Sequence, residues 1–179
     1  MHFRRLLILG GARSGKSRFA QQLAEKAAGN KIYLATAEAG DAEMAERIKA
    51  HRRERGAGWE TVEAPLRLAE SLGQQADTDI VVVDCLTLWL SNVMLAGQDV
   101  DAAIAGLAEA IRKVNYPLVL VSNEVGLGIV PENLLGRRFR DWQGILNRVM
   151  AETCDGVVFM AAGCPLLLKP SSLPEIHLG

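Results

Sequence analysis

The fold class is decided by one stretch of sequence, Gly10-Gly11-Ala12-Arg13-Ser14-Gly15-Lys16-Ser17. It fits the pattern GxxxxGK[ST] without a mismatch, and it stands between an apolar run and a helical pattern. Glycines in such a loop let backbone N–H groups converge on phosphate oxygens, and the following helix N-terminus adds partial positive charge. Residues 10–17 are therefore predicted to bind the phosphates of a nucleotide.

Three side chains are predicted to carry chemistry around this loop. Lys16 is expected to reach the β- and γ-phosphates as a catalytic residue, and the Ser17 hydroxyl is expected to bind Mg²⁺. Asp84 ends a buried apolar strand, where phosphate-loop proteins hold Mg²⁺ with a carboxylate. An acid at a strand end is by itself more often a turn or helix-capping residue. Beside a phosphate loop, the metal interpretation of Asp84 is preferred.

Short apolar runs alternate with longer helical patterns along the chain. Strands are predicted at residues 5–9, 31–36, 79–84, 117–122 and 156–161. Helices are predicted at residues 16–28, 41–55, 65–75, 86–95, 100–114 and 137–154. This alternation predicts an α/β fold, in which a mostly parallel sheet carries helices on both faces. We expect a single nucleotide-binding catalytic domain over residues 1–179.

The composition excludes several classes of protein. The 179 residues are 49% hydrophobic and 23% charged, as in an ordinary globular chain. The net charge of −1 argues against a nucleic-acid partner. Proteins that bind the phosphate backbone of DNA or RNA usually have an excess of basic residues. Three cysteines without a CxxC pair predict neither a disulfide framework nor a zinc site. No apolar run is long enough for a transmembrane helix, so the cytoplasm is the expected location.

A strongly basic segment surrounds one histidine. Residues 47–55 read RIKAHRRER, with five cations around His51. A solvated helix face is the commoner explanation of such a charge run. The alternative is a second phosphate-binding surface that contains a nucleophile, since the guanidiniums would favour neutral imidazole and stabilise charge developing on phosphorus. Spacing alone leaves both explanations open.

Small and polar residues end two of the predicted strands. Residues 35–37 (Ala-Thr-Ala) end the second strand, and residues 122–124 (Ser-Asn-Glu) end the fourth. Carboxyl ends of parallel strands meet at one edge of a sheet, so these residues are expected to line one ligand crevice. Each could instead be a cap or turn residue. Glu63 is a candidate to hydrogen-bond the sugar or base of a nucleotide.

Five segments, in order, resemble a known family: GGARSGKS, YLATAEAGDAEMAERIKAHR, WETVEAP, DCLTLWLSN and VSNEVGLGIVPEN. Together they resemble the bifunctional adenosylcobinamide kinase/adenosylcobinamide-phosphate guanylyltransferase of cobalamin biosynthesis. The resemblance runs from about residue 6 to residue 169. The phosphate loop is shared with many families, whereas the histidine-containing segment and SNEVGLGIVPEN are much more specific.

The resemblance implies two reactions. The family phosphorylates the aminopropanol hydroxyl of adenosylcobinamide with ATP or GTP, and then transfers GMP from GTP to that phosphate through a guanylylated histidine. The match places this histidine at His51, and it implies a P-loop NTPase-like fold assembled as a homotrimer. The implied nucleotide contacts are residues 10–17, Ala35, Thr36, Ala37, Arg52, Arg53, Glu54, Arg55, Glu63 and Asp84.

Two other functions remain open on sequence grounds. One is a kinase-only enzyme acting on cobinamide or another small alcohol. The other is a regulatory nucleotide-binding module that switches a partner protein. The guanine-specifying signature NKxD, which would favour such a switch, does not occur in the sequence.

Overall fold

The computed structural model describes residues 2–37, 58–75 and 78–171, together with Glu46. The predicted helix at 41–55 therefore lies almost wholly outside the described residues. The strands are β1 (Arg5–Gly10), β2 (Lys31–Ala35), β3 (Trp59–Glu63), β4 (Ile80–Asp84), β5 (Leu118–Val121), β6 (Gly156–Ala161) and β7 (Cys164–Lys169). The helices are α1 (Lys16–Ala24), α2 (Leu68–Gly73), α3 (Leu86–Leu95), α4 (Val100–Lys113) and α5 (Leu134–Thr153).

The strands form one sheet in the order β3-β2-β4-β5-β1-β6-β7. Every neighbouring pair from β3 to β6 is parallel, and β7 alone is antiparallel, against β6. The predicted α/β fold with a mostly parallel sheet is confirmed. Because the parallel strands share one direction, their carboxyl ends form a single edge, which we call the carboxyl edge.

Side chains alternate between two buried faces of the sheet. Leu6 and Ile8 of β1 pack with Ala20 of α1, on what we call the α1 face. Leu7 and Leu9 pack on the opposite face, in the core that α2 to α5 cover. A shift of one residue in the register of a strand would exchange these faces, so burial on both sides fixes the register.

Two strands of the sheet were not predicted from the sequence. β3 reads WETVE and has two glutamates at an exposed edge, so it lacks a continuous apolar signal. β7 contains Pro165 and is exposed along most of its length, as edge strands with proline are.

Several helix boundaries also differ: α1 ends at Ala24 rather than at residue 28, and α2 spans Leu68–Gly73 rather than residues 65–75. α5 begins at Leu134 rather than at residue 137. The Asn133 side chain caps α5 by accepting a hydrogen bond from the Gly136 N–H.

Candidate functional site at the carboxyl edge

The predicted phosphate loop lies between β1 and α1. Its turns use backbone conformations that glycine favours, with φ of 149° at Gly10 and 95° at Gly15. A Cβ atom at Gly10 would collide with the Met160 carbonyl oxygen of β6. Gly15 is the N-cap residue of α1, and the first turn of that helix contains no acidic side chain. The loop therefore presents a helix N-terminus at which an anion is favoured.

Lys16 is a desolvated cation folded over this loop. Its side chain is 6% exposed, and Nζ donates a hydrogen bond of 2.6 Å to the Gly11 carbonyl oxygen. Burial lowers the pKa of Lys16, while the nearby Cys85 and Asp84 groups act in the opposite direction. A buried ammonium gains most from an anionic partner. Lys16 is thus placed to exchange the Gly11 carbonyl for phosphate oxygens.

Asp84 lies at the carboxyl edge between two neighbouring strands. It pairs with Ala35 of β2 on one side and with Val121 of β5 on the other. Tyr33 donates a hydrogen bond of 2.8 Å from its hydroxyl to Asp84 Oδ2. Among the described residues, none donates a hydrogen bond to Oδ1. One carboxylate oxygen is thereby held, and the other is available to a ligand.

Glu63 continues this row of strand ends. It pairs with Ala35, so Glu63, Ala35 and Asp84 lie in register across β3, β2 and β4. The glutamate is exposed, whereas Ala35 and Asp84 are half-buried. The structure thus brings together three of the predicted nucleotide-binding residues along one edge.

Thr36 is buried with its hydroxyl engaged by the chain after Asp84. Thr36 Oγ1 donates to the Cys85 carbonyl oxygen at 2.7 Å and accepts from the Cys85 N–H at 2.8 Å. The Asn92 side chain donates to the Thr36 carbonyl oxygen at 2.9 Å. These bonds give Thr36 a role in positioning the Asp84–Cys85 turn. The predicted contact of Thr36 with the nucleotide stays a prediction. The same holds for Ala37, which is half-buried.

A buried polar cluster supports the carboxyl end of β5. Gln143 Nε2 donates to Ser122 Oγ and to Asn147 Oδ1, at 2.9 Å in both cases. Ser122 Oγ donates to Asn147 Oδ1 at 2.7 Å. Gln143 and Asn147 were not among the residues predicted from the sequence. Both lie in the buried stripe of α5 with Leu146 and Met150. Polar amide side chains at apolar positions of a helical pattern are the feature of the sequence that could have identified them.

The loop between β5 and α5 begins against the phosphate loop. The Glu124 N–H donates to the Gly10 carbonyl oxygen at 3.0 Å. Arg140 donates from Nη2 to the Gly126 carbonyl oxygen at 2.7 Å, which ties the loop to α5. The middle of the loop projects apolar side chains into solvent, and Ile129 is 95% exposed.

The turn between β6 and β7 contacts the phosphate loop from the other side. The Gly163 N–H donates a hydrogen bond of 3.1 Å to the Ser14 carbonyl oxygen. Gly163 itself has a φ of 82°. The phosphate loop is therefore braced by main-chain hydrogen bonds from the start of the β5–α5 loop and from the β6–β7 turn.

The basic segment lies outside the part of the chain that the structure describes. This applies to the predicted nucleophile His51 and to the predicted nucleotide contacts Arg52, Arg53, Glu54 and Arg55. Their assignments stay predictions. Over the described ranges, no helix is long and apolar enough to cross a membrane.

A family model described as cobinamide kinase / cobinamide phosphate guanyltransferase matches residues 6–168. The chain belongs to this family. The resemblance given by the sequence motifs is thereby confirmed, and with it the two activities at the level of the family. The phosphate loop between β1 and α1 fits an enzyme of this family, which uses a nucleotide as substrate.

Two curated relatives support the assignment over nearly their full length. The bifunctional adenosylcobalamin biosynthesis protein CobP of Pseudomonas aeruginosa is 47% identical over 93% of this chain and 98% of its own. CobU of Salmonella typhimurium, a bifunctional adenosylcobalamin biosynthesis protein, is 36% identical over 92% of this chain and 99% of its own.

A solved ATPase from the type III secretion system of pathogenic bacteria aligns over 87% of this chain and 50% of that chain. The TM-score is 0.49 and the sequence identity is 12%. The fold of the present chain is assigned from its own strand order and phosphate loop.

Proposed function

We propose that one phosphate loop serves both reactions of this cobinamide kinase/cobinamide phosphate guanylyltransferase. In the first reaction, ATP or GTP phosphorylates the aminopropanol hydroxyl of adenosylcobinamide. In the second, GMP passes from GTP to that phosphate, which gives adenosylcobinamide-GDP and pyrophosphate. The observation that carries the proposal is family membership over residues 6–168, joined to a phosphate loop folded as strand, loop and helix.

The kinase reaction takes place at the N-terminus of α1. Residues 10–17 hold the triphosphate, and Lys16 moves from the Gly11 carbonyl to the β- and γ-phosphate oxygens. The acceptor hydroxyl oxygen forms a bond to the γ-phosphorus as the bond to the β-phosphate oxygen breaks, and the hydroxyl proton is released to water. Such a transfer depends on positioning and charge neutralisation more than on a reactive side chain.

Mg²⁺ fits the residues at this site. The described residues contain no group of three or more His, Cys, Asp or Glu side chains that could hold a metal ion. Mg²⁺ bound to a nucleotide needs only one or two protein ligands, because phosphates and water supply the rest. Ser17 and the available Oδ1 of Asp84 meet that need. When bound, Mg²⁺ neutralises charge on the β- and γ-phosphate oxygens.

The guanylyl transfer uses His51 as the nucleophile. A neutral ring nitrogen forms a bond to the α-phosphorus of GTP, and pyrophosphate leaves. The phosphate of adenosylcobinamide phosphate then attacks the same phosphorus and releases His51. Arg52, Arg53 and Arg55, with Glu54 beside them, form the basic surface that holds the triphosphate. Ala35, Thr36, Ala37, Glu63 and Asp84 line the crevice in which the rest of the nucleotide lies.

The covalent intermediate supplies the deciding experiment. Incubation with GTP labelled at the α-phosphate is expected to leave an acid-labile, alkali-stable label on the protein, mapped to His51 by mass spectrometry. His51→Ala should abolish the label, and His2→Ala is the matched control at an exposed terminal histidine. Label that persists in His51→Ala would refute the assignment of the nucleophile.

The kinase-only alternative gives a different result in the same assay. It predicts no label in the wild-type protein and phosphorylation of adenosylcobinamide that is unchanged by His51→Ala. Lys16→Ala should reduce both reactions if they share one loop. Loss of only one reaction would indicate two nucleotide sites.

The assembly we propose is a homotrimer in the cytoplasm. Exposed apolar side chains on the β5–α5 loop and on edge strand β7 support association, for example Leu127 and Leu166. Sedimentation equilibrium should give three times the chain mass of 19.4 kDa. A mass of one chain at micromolar concentration would refute the trimer.

A further inference from the structure

We infer that Asn123 is a further catalytic residue, whose side-chain amide donates a hydrogen bond to the γ-phosphoryl group during the kinase reaction. This inference rests on the proposed function, since it assigns a role within the same nucleotide site. It follows from the position of Asn123 in the sheet, from the face it occupies and from the hydrogen bonds around it.

The first step is the position of Asn123 along the sheet. β5 lies between β4 and β1, and Val121 pairs with both Asp84 and Ile8. Hydrogen bonds to β1 continue past the end of β5, from Ser122 N–H to Ile8 O and from Glu124 N–H to Gly10 O, each at 3.0 Å. Asn123 therefore stands level with the first glycine of the phosphate loop and just beyond the level of Asp84.

The second step is the face of the sheet. Val119 and Val121 pack on the α1 face. Ser122 turns to the opposite face, where it bonds to Asn147 of α5. Because side chains alternate along extended backbone, Asn123 returns to the α1 face. Lys16 begins α1 on that same face, so the amide and the ammonium approach the nucleotide from one side.

The third step is the hydrogen bonding of Asn123 itself. Its N–H donates to Thr87 Oγ1 at 2.8 Å, and its carbonyl oxygen accepts from Asn147 Nδ2 at 3.0 Å. Both partner side chains are buried. The amide side chain makes no hydrogen bond to any residue within the described ranges. Hydrogen bonds hold the backbone of Asn123 on both sides, and its side-chain amide is available to a ligand.

The chemistry of an amide suits the transferred group. The acceptor oxygen bonds to the γ-phosphorus and gives its proton to water, the bond to the β-phosphate oxygen breaks, and the nucleoside diphosphate leaves. Asn123 Nδ2 donates a hydrogen bond to an oxygen of the moving phosphoryl group, and the amide neither gains nor loses a proton. A hydrogen-bond donor that is already positioned where negative charge develops strongly stabilises the transition state. Guanylyl transfer takes place at the α-phosphorus, so it depends less on this donor.

The test compares Asn123→Ala and Asn123→Asp with Asn115→Ala. Asn115 is an exposed asparagine before the opposite end of β5, which makes it a matched control. The first measurement is the ratio of GTP to GDP affinity without any corrinoid, using fluorescent nucleotide analogues. We expect Asn123→Ala to reduce the preference for GTP about tenfold, as loss of one hydrogen bond to a charged group would. Asn123→Asp should reduce it further by repulsion.

The second measurement is the single-turnover rate of each reaction. At saturating GTP, both Asn123 variants should slow phosphorylation of adenosylcobinamide by about 10²-fold, and they should slow formation of the guanylylated protein by a smaller factor. Unchanged GTP preference and kinase rate in both variants would overturn the inference. Equal losses of GTP and GDP binding would also overturn it, because they would indicate a distorted phosphate loop. If the wild-type protein failed to phosphorylate adenosylcobinamide, the proposed function would fail, whereas the affinity ratio would still test Asn123.

Discussion

The Tyr33 hydroxyl donates a 2.8 Å hydrogen bond to Asp84 Oδ2 and so joins neighbouring strands β2 and β4 at the carboxyl edge. The Tyr33 ring packs edge-on against Trp59 of β3, with the ring centroids 6.2 Å apart. Tyr33 is buried, so its hydroxyl has little freedom to leave the carboxylate. The orientation of Asp84 is therefore set by a neighbouring strand as well as by its own.

Tyr33→Phe tests this orientation. The substitution keeps the ring and removes only the donor, so Asp84 can rotate and its hold on Mg²⁺ should weaken. We expect a stability loss of about 1 kcal/mol and a higher Mg²⁺ concentration for half-maximal kinase activity. Urea unfolding and Mg²⁺ titrations measure these two effects. An unchanged Mg²⁺ requirement would show that Tyr33 does not orient the carboxylate.

Thr36→Val tests the turn after Asp84. Valine has the shape of threonine but lacks the hydroxyl, so the buried Cys85 N–H would lose its acceptor. An unpaired buried donor costs about 1–3 kcal/mol, which urea unfolding can resolve. Thr36→Ser keeps the hydroxyl and is the control. If Val and Ser variants were equally stable, the hydrogen bond would contribute nothing to the fold.

Gly10→Ala tests the start of the phosphate loop. The new Cβ atom would meet the Met160 carbonyl oxygen, and the φ of 149° is one that alanine rarely adopts. We expect a loss of about 2–4 kcal/mol in unfolding free energy. Gly11→Ala is the matched control, because no atom lies within 4 Å of a Cβ at that position. Similar melting temperatures for the two variants would contradict the predicted collision.

The three cysteines should differ sharply in reactivity. Burial raises the pKa of Cys85 and of Cys154 to about 12, whereas Cys164 is exposed on β7. A thiol is deprotonated only as the pH approaches its pKa, so at pH 8 a group with a pKa near 12 is about 10⁻⁴ thiolate. Ellman's reagent at pH 8 should therefore titrate one thiol rapidly in the native protein and three after denaturation. Cys164→Ser should remove the rapid phase.

The sequence predicted the centre of the sheet well and its edges poorly. β4 and β5 are continuous apolar runs because both of their faces are buried, so their signal is strong. β3 and β7 lie at the two edges and carry charges or proline. Their strand conformation comes from pairing with a neighbour, which periodicity along the chain does not reveal.

The candidate site likewise contains residues that the sequence could identify and residues that it could not. The phosphate loop and Asp84 could be singled out from the sequence because each stands at the carboxyl end of a strand, in a pattern with a known physical purpose. The roles of Tyr33, Gln143 and Asn147 depend on contacts between distant segments, such as the 2.8 Å bond from Tyr33 to Asp84. Such pairs become visible only when the strand order is known.

The hydrogen bond from Gly163 to Ser14 is made by main-chain atoms on both sides. Substitution of the Ser14 side chain leaves its carbonyl acceptor in place, so sequence drift at residue 14 need not disturb this hydrogen bond. Residue 163 is different, because its φ of 82° is one that side chains other than glycine rarely adopt, and proline would also remove the N–H donor. The strands of the hairpin at the far edge of the sheet can thus vary in composition, while its turn keeps a glycine and supports the phosphate loop through backbone atoms.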